Sequence, residues 1–406
     1  LNIAILTKEY PPHIYGGAGA HVEHLTRELG KLDGGAHEVQ ILCFGDQDEI
    51  CGKKRVRGIR PPLFIQVCDE HHRALVDTLE RNGAMVGVLQ RADVIHCHTW
   101  YTHLAGCLLR EMLDAPLVLT THSLEPQRPW KREQLGTAYR ASSWIEKMAY
   151  QSADGVIAVS ASMREDVHRL YHVPMEKIAL IHNGIDDDVF RPKEDPDVLL
   201  SYGIDPTRPY VLMVTRLTRQ KGIIHFLEAA KYLKPGVQVF MCASAPDTQT
   251  FMEEVSARFE EVKKRLHTDI IWVKETVSTE DLVALYSQAS LFACPSIYEP
   301  FGITNLEAMA CETPVVASAV GGIKEVVVDG ETGRLVPFEP AGAENPEPKD
   351  PIGFARDLAD AINGLLASPS SLKVMGAYAR KRVKEHFSWT SNARQTLDFY
   401  QRLSNQ

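Results

Sequence analysis

A chain of 406 residues, 44% hydrophobic and 24% charged, has the make-up of an ordinary globular protein and the length for two domains. A formal net charge of -9 provides no basic field, which excludes a general nucleic-acid binder but leaves room for a locally basic pocket. No apolar run reaches membrane-span length, and the eight cysteines are scattered without a Cys-x-x-Cys pair; the expectation is a cytoplasmic protein free of the membrane.

The apolar start stops at Thr7-Lys8-Glu9, too short for a signal-peptide core, and predicts a first strand over Ile3–Leu6. Further β-branched runs predict strands at Val39–Cys43, Val94–His96, Leu117–Thr120, Val156–Val159 and Ile178–Ile181. Amphipathic stretches lie between several of them, for example Val22, Leu25 and Leu29 on one helix face. The alternation breaks at Asn183-Gly184-Ile185-Asp186, and the polar stretch to about Pro209 reads as a hinge and linker. A second set predicts strands at Val211–Thr215, Val237–Cys242, Ile270–Val273, Leu291–Cys294 and Val315–Ser318. Its helices are predicted over Gly222–Leu233, Thr248–Leu266 and Thr279–Ala289. The Pro/Gly/Glu-rich segment from Glu339 to Pro351 reads as an exposed loop, followed by helical patterns from Ile352 onward. Near-continuous apolar strands between helices indicate parallel sheets covered on both faces. The predicted fold class is α/β: two doubly wound Rossmann-like domains, 1–186 and 187–387, facing a cleft lined by the carboxyl ends of their strands.

Glu299 and Glu307, with seven residues between them in Tyr298-Glu299-Pro300-Phe301-Gly302-Ile303-Thr304-Asn305-Leu306-Glu307, follow a predicted buried strand at the loop that leads into a helix. Thr304 or Asn305 is the expected cap, with Glu307 in the first helical turn. Such a joint aims free amides and the positive helix end at an anion, while the carboxylates suit sugar or ribose hydroxyls. Arg216 and Lys221 sit in the turn that leads to Gly222 and the next helix. Cations at a helix start oppose its dipole, which argues for a bound diphosphate rather than for stability. Arg219 reads as solvated. Gly16, Gly17 and Gly19 follow the first strand, but the dinucleotide fingerprint fails at Val22. His122 ends another strand and can serve a sugar hydroxyl or a structural role. His96-Cys97-His98 lacks further ligands at metal spacing, so no metal is assigned. Arg128, Lys131 and Arg132, interleaved with Trp130 and Tyr139, form either a grip for an anionic acceptor or a solvated face.

The paired glutamates resemble the signature of retaining nucleotide-sugar glycosyltransferases with the GT-B fold. The further runs Lys8-Glu9-Tyr10-Pro11-Pro12, Tyr15-Gly16-Gly17-Ala18-Gly19, His98-Thr99-Trp100, Thr121–Pro126, Asn183–Asp186 and Arg216–Gly222 occur in matching order. Taken together, the chain resembles the actinobacterial-type glycogen synthases of glycosyltransferase family 4, maltose-1-phosphate synthases included. The resemblance implies a nucleotide-sugar donor, ADP-glucose or UDP-glucose, and a glucan or glucose-1-phosphate acceptor. No cofactor is expected of this cationic site, charge and hydropathy give no nucleic-acid or membrane partner, and a homo-oligomer is left open. Arg216 and Lys221 would hold the donor diphosphate, Glu299 the sugar hydroxyls and Glu307 the ribose. Amides of Gly302, Ile303 and Thr304 would contact the sugar, Gly16 and Gly17 would reach the phosphates, and His122 would touch the transferred glucose. Tyr15, His98 and Trp100, with Arg128, Lys131 and Arg132, would serve the acceptor. The terminal helix, about 388–406, would pack back on the first domain. One departure is Ile14, where starch and glycogen synthases of the other bacterial and plant type carry Lys; Lys324, where relatives usually have Pro, reads as solvated. A nucleotide-dependent oxidoreductase, an epimerase of the same fold and a non-catalytic sugar-binding module are the competing readings.

Overall fold

The computed structural model describes residues 1–60, 66–266, 269–342 and 345–404. The chain divides into two compact units, Leu1–Gly184 with Trp389–Gln406, and Ile185–Ser388.

In the first unit the strands are β1 (Asn2–Thr7), β2 (Glu38–Phe44), β3 (Asp48–Cys51), β4 (Lys54–Ile59), β5 (Val94–His98), β6 (Leu117–Thr121), β7 (Gly155–Ala158) and β8 (Ile178–Leu180). They form one sheet in the order β3-β4-β2-β1-β5-β6-β7-β8. Every pairing is parallel except β3 with β4. The helices are α1 (Gly17–Leu29), α2 (Arg73–Val88), α3 (Trp100–Leu113), the short α4 (Arg132–Leu135), α5 (Ala138–Ser152) and α6 (Ala161–Tyr171). The central strands are buried along their whole length, as expected of a sheet covered on both faces. Register sets Thr7 beside His98 and His98 beside Thr120, so the loops after β1, β5 and β6 leave from one edge. The hairpin β3–β4 went unpredicted because β3 is exposed throughout and carries no apolar alternation.

The second unit begins with α7 (Pro196–Ser201), then β9 (Tyr210–Arg216), α8 (Ile223–Ala230), β10 (Gln238–Ser244), α9 (Gln249–Leu266) and β11 (Ile270–Val273). It continues with α10 (Thr279–Gln288), β12 (Leu291–Cys294), α11 (Ile303–Ala310), β13 (Val315–Ser318), α12 (Ile323–Val326) and β14 (Gly333–Val336). The six strands run β11-β10-β9-β12-β13-β14, all parallel. A core of Val211, Met213, Phe226, Met241, Phe251, Leu291 and Leu358 lies within the unit.

Two expectations are corrected here. The predicted linker is bonded into the second unit: it holds α7, capped by Asp195, and the Lys193 amide donates to Ser287 Oγ at 3.0 Å. The predicted loop from Glu339 contains β15 (Pro340–Gly342) and β16 (Asn345–Pro348), an antiparallel pair; Glu347 of β16 meets the buried His225 at 2.9 Å. The helices α13 (Pro351–Leu366) and α14 (Pro369–His386) complete this unit, and α15 (Trp389–Ser404) belongs to the first. No helix among the described residues is long and apolar enough to cross a membrane.

Candidate active site

In the second unit three loops lock together at the carboxyl ends of β9, β12 and β13. Gly222 caps α8 with φ 65°, and a Cβ there would overlap the Pro295 carbonyl. The Gln220 carbonyl accepts the Ile297 amide at 2.9 Å, fixing the loop after β9 to the loop after β12. Gly321, at φ 48°, and Gly322 press on the backbone of Glu299 and Pro300, and the Gly322 amide donates to the Glu299 carbonyl at 3.0 Å. The backbone around Glu299 is therefore held from two sides.

On that frame Lys221 Nζ reaches Glu299 Oε2 at 2.7 Å, and Ser296 Oγ donates to the same oxygen at 3.1 Å. Arg216 ends β9, is half-buried, and its guanidinium has no ion-pair or hydrogen-bond partner among the described residues. Arg219 departs from its expectation: it pairs with Glu254 at 2.9 Å and covers the Phe251 ring.

The start of α11 also differs from expectation. Its cap is Gly302, φ 98°, not Thr304 or Asn305, and the helix spans Ile303–Ala310. Glu307 therefore lies beyond the first turn, which contains no acidic residue. The open end of α11 carries the amides of Ile303 and Thr304, which have no intrahelical partners. Tyr286 donates to Glu307 Oε2 at 2.8 Å. Burial holds the Glu307 carboxyl above its ordinary value of 4.5, against the opposing pull of the Tyr286 hydroxyl and of Lys221.

In the first unit the glycine loop is organised by a residue that sequence reasoning passed over. Glu9 Oε2 accepts the amides of Tyr15 at 2.9 Å and Gly16 at 3.0 Å. Gly19 packs so closely on Glu9 that a Cβ would crowd it at 2.9 Å. The Gly16 amide is thus engaged by a carboxylate of the chain itself, while Tyr15 is 61% exposed.

Beside that loop lies a group of histidines. His98 Nδ1 and His122 Nε2 are 2.9 Å apart, His96 is held by Tyr400 and by Thr120 at 2.7 Å, and His21 Nδ1 meets Asn183 at 2.8 Å. The ring of His21 lies 4.8 Å from that of His122. Burial drives these imidazoles toward the neutral form: His21 falls to about 4, and His96, His98 and His122 lie well below 6.5. His21, His98 and His122 each bring one ring nitrogen within 4.8 Å of the others, so distant segments supply the neighbours that the local His-Cys-His spacing lacked.

The residues assigned to an acceptor are dispersed. His98 is fully buried and Trp100 nearly so. Arg128 lies 3.5 Å from the buried Glu125 and donates to Ser123 at 3.1 Å. Lys131 bonds Gln134, and Arg132 is exposed over the Tyr139 ring. Of the three cations only Arg132 stands clear at the surface.

The family model "Glycosyltransferase Family 4" matches residues 15–189, and "Glycosyl transferases group 1" matches residues 199–345. The α-maltose-1-phosphate synthase of Mycolicibacterium smegmatis is 43% identical over the full length of both chains. A glycogen synthase of Mycobacterium tuberculosis is 27% identical, covering 98% of this chain and 94% of its own. Among solved structures, the sucrose-phosphate synthase of Thermosynechococcus elongatus aligns over 99% of both chains with a TM-score of 0.78 and 26% identity. With two Rossmann-like units and these relatives, the chain belongs to the GT-B glycosyltransferases of family 4, in the group of the maltose-1-phosphate and glycogen synthases.

Proposed function

We propose that the chain is a retaining glucosyltransferase, moving glucose from a nucleoside-diphosphate glucose, ADP-glucose ahead of UDP-glucose as the candidate donor, to glucose-1-phosphate or an α-1,4-glucan in α-glucan synthesis. The observation that carries this reading is the Lys221–Glu299 pair, locked at the strand ends of the second unit, with Arg216 at the end of β9. A diphosphate leaving group develops negative charge, which the Arg216 guanidinium and the Lys221 ammonium stabilise electrostatically. Glu299 then offers an acceptor to the sugar hydroxyls while restraining Lys221. Glu307, held by Tyr286, serves the ribose. His122 contacts the transferred glucose. Front-face attack, with the leaving phosphate taking the acceptor's proton, accounts for retention without a carboxylate nucleophile on the opposite face.

The 43% identity to a maltose-1-phosphate synthase, against 27% to a glycogen synthase, favours glucose-1-phosphate as acceptor. The test is nucleoside diphosphate release from ADP-glucose or UDP-glucose, with glucose-1-phosphate or glycogen added, and NMR of the product linkage. The expected result is acceptor-dependent ADP release and an α-linked disaccharide phosphate. Release that ignores the acceptor, or a β-linked product, would overturn the reading.

A further inference from the structure

The histidine group shows which nitrogen His122 has available for a ligand; the step to turnover rests on the functional reading above, in which His122 touches the sugar. His98 ends β5 in register with Thr120, two residues before His122, and its Nδ1 lies 2.9 Å from His122 Nε2. One of these nitrogens carries a proton and the other accepts it. Desolvation keeps both rings neutral, so each holds a single proton. His98 Nε2 is sealed from solvent and meets no protein partner among the described residues. A proton there would be a buried orphaned donor, whereas a bare lone pair is the less costly orphan. His96, 4.2 Å away by ring centroid, cannot compete for the His98 proton, because Tyr400 and Thr120 occupy its two nitrogens. His98 is therefore the donor. His122, accepting at Nε2, must carry its own proton on Nδ1.

We propose that His98 is a positioning residue whose Nδ1–H bond to His122 Nε2 fixes the His122 tautomer, so that His122 offers Nδ1–H as a hydrogen-bond donor to an oxygen of the bound sugar. The role explains a buried histidine that no ligand can reach. It also predicts which replacement suffices: an asparagine amide can place an N–H close to where the imidazole Nδ1–H stood, and leucine cannot.

The experiment is a two-bond proton–nitrogen spectrum of the full chain labelled with nitrogen-15 histidine, with turnover of His98→Asn, His98→Leu and His122→Ala measured beside it. The expected spectrum shows His98 and His122 both protonated at Nδ1. His98→Leu should lower kcat by about tenfold, the worth of one hydrogen bond, with donor KM little changed, and His98→Asn should recover most of it. A proton on Nε2 of His122 in the unmodified chain, or full kcat in His98→Leu, overturns the proposal. If both rings are protonated at Nδ1 and His122→Ala keeps full turnover, the tautomer assignment stands and the reading of His122 as a sugar contact falls.

Discussion

Lys221 and Glu299 are joined at 2.7 Å with side chains only 18% and 7% exposed, so neither charge can fall back on water. Truncating one partner leaves the other buried and uncompensated, a loss of about 3–5 kcal/mol for buried pairs. Lys221→Met and Glu299→Leu should each destabilise the fold on that scale. The double variant should recover a large part of the loss, since no bare charge remains. Transfer should stay absent in all three, because both side chains are assigned to the donor. Urea midpoints set against nucleoside diphosphate release separate the two effects; a double variant with normal turnover would remove the pair from the site. The spacing of Glu299, Glu307, Arg216 and Lys221 was visible in the chain. Their restraints were not, because Ser296, Gln220 and Tyr286 act through contacts that no local pattern encodes. Glu9 escaped for the same reason: a glutamate after a strand looks solvated until its two amide partners fold over it.

At the level of elements, the strands nearest the site were legible because β-branched, apolar runs are required where both faces are covered. The helix joint at α11 was misread because side-chain caps dominate the usual rule, whereas Gly302 closes this one with φ 98°. Helix α5 poses a sharper problem. It buries Glu146 against Glu125, whose amide donates to Glu146 Oε2 at 2.8 Å, and against the Tyr171 hydroxyl of α6. Arg128 lies 3.5 Å from Glu125. Burial first, and the Glu125 charge second, raise the Glu146 carboxyl above its ordinary 4.5; the Tyr171 hydroxyl and the Arg128 charge oppose the rise. The unfolded chain therefore releases this proton at lower pH than the folded one. The stabilising contribution is complete below 4.5 and is lost as pH rises through the folded value. Unfolding free energies of the native chain should fall from about pH 5 upward into the mildly alkaline range, and Glu146→Gln should flatten that slope. An unchanged slope in Glu146→Gln would place the proton elsewhere.

Across the whole molecule, two alternating α/β sets were readable from the repeat of strand and helix patterns, including the edge strands β8 and β11, but the opposite edges β3 and β14 were not. The exposed β3, the short β14 and the β15–β16 ribbon carry too little apolar alternation to announce themselves. The closing helix is the clearest case in which chain order and spatial order part. Helix α15 follows the second unit in sequence, yet Ala393, Leu397, Phe399 and Tyr400 lie in the core of the first. The Phe399 ring packs so closely on Gly155 that a Cβ there would crowd it at 2.5 Å, and Tyr400 bonds the buried His96. Trp389 stacks on His24 at 5.0 Å, and Arg394 pairs with Asp33 at 2.9 Å. Burying each large apolar side chain is worth about 1.5–3 kcal/mol. Trp389, Leu397, Phe399 and Tyr400 together approach the roughly 5–15 kcal/mol that holds a whole domain folded. A chain ending at Ser388 should therefore lose the first unit while keeping the second. Limited proteolysis should degrade 1–184 rapidly and leave 185–388 protected. A peptide of 389–406 added in trans should restore protection to the first unit, because the site it fills is formed by α1, β5 and β7 and not by the chain leading into α15. Equal resistance of both units without α15 would show that the first sheet closes its core unaided.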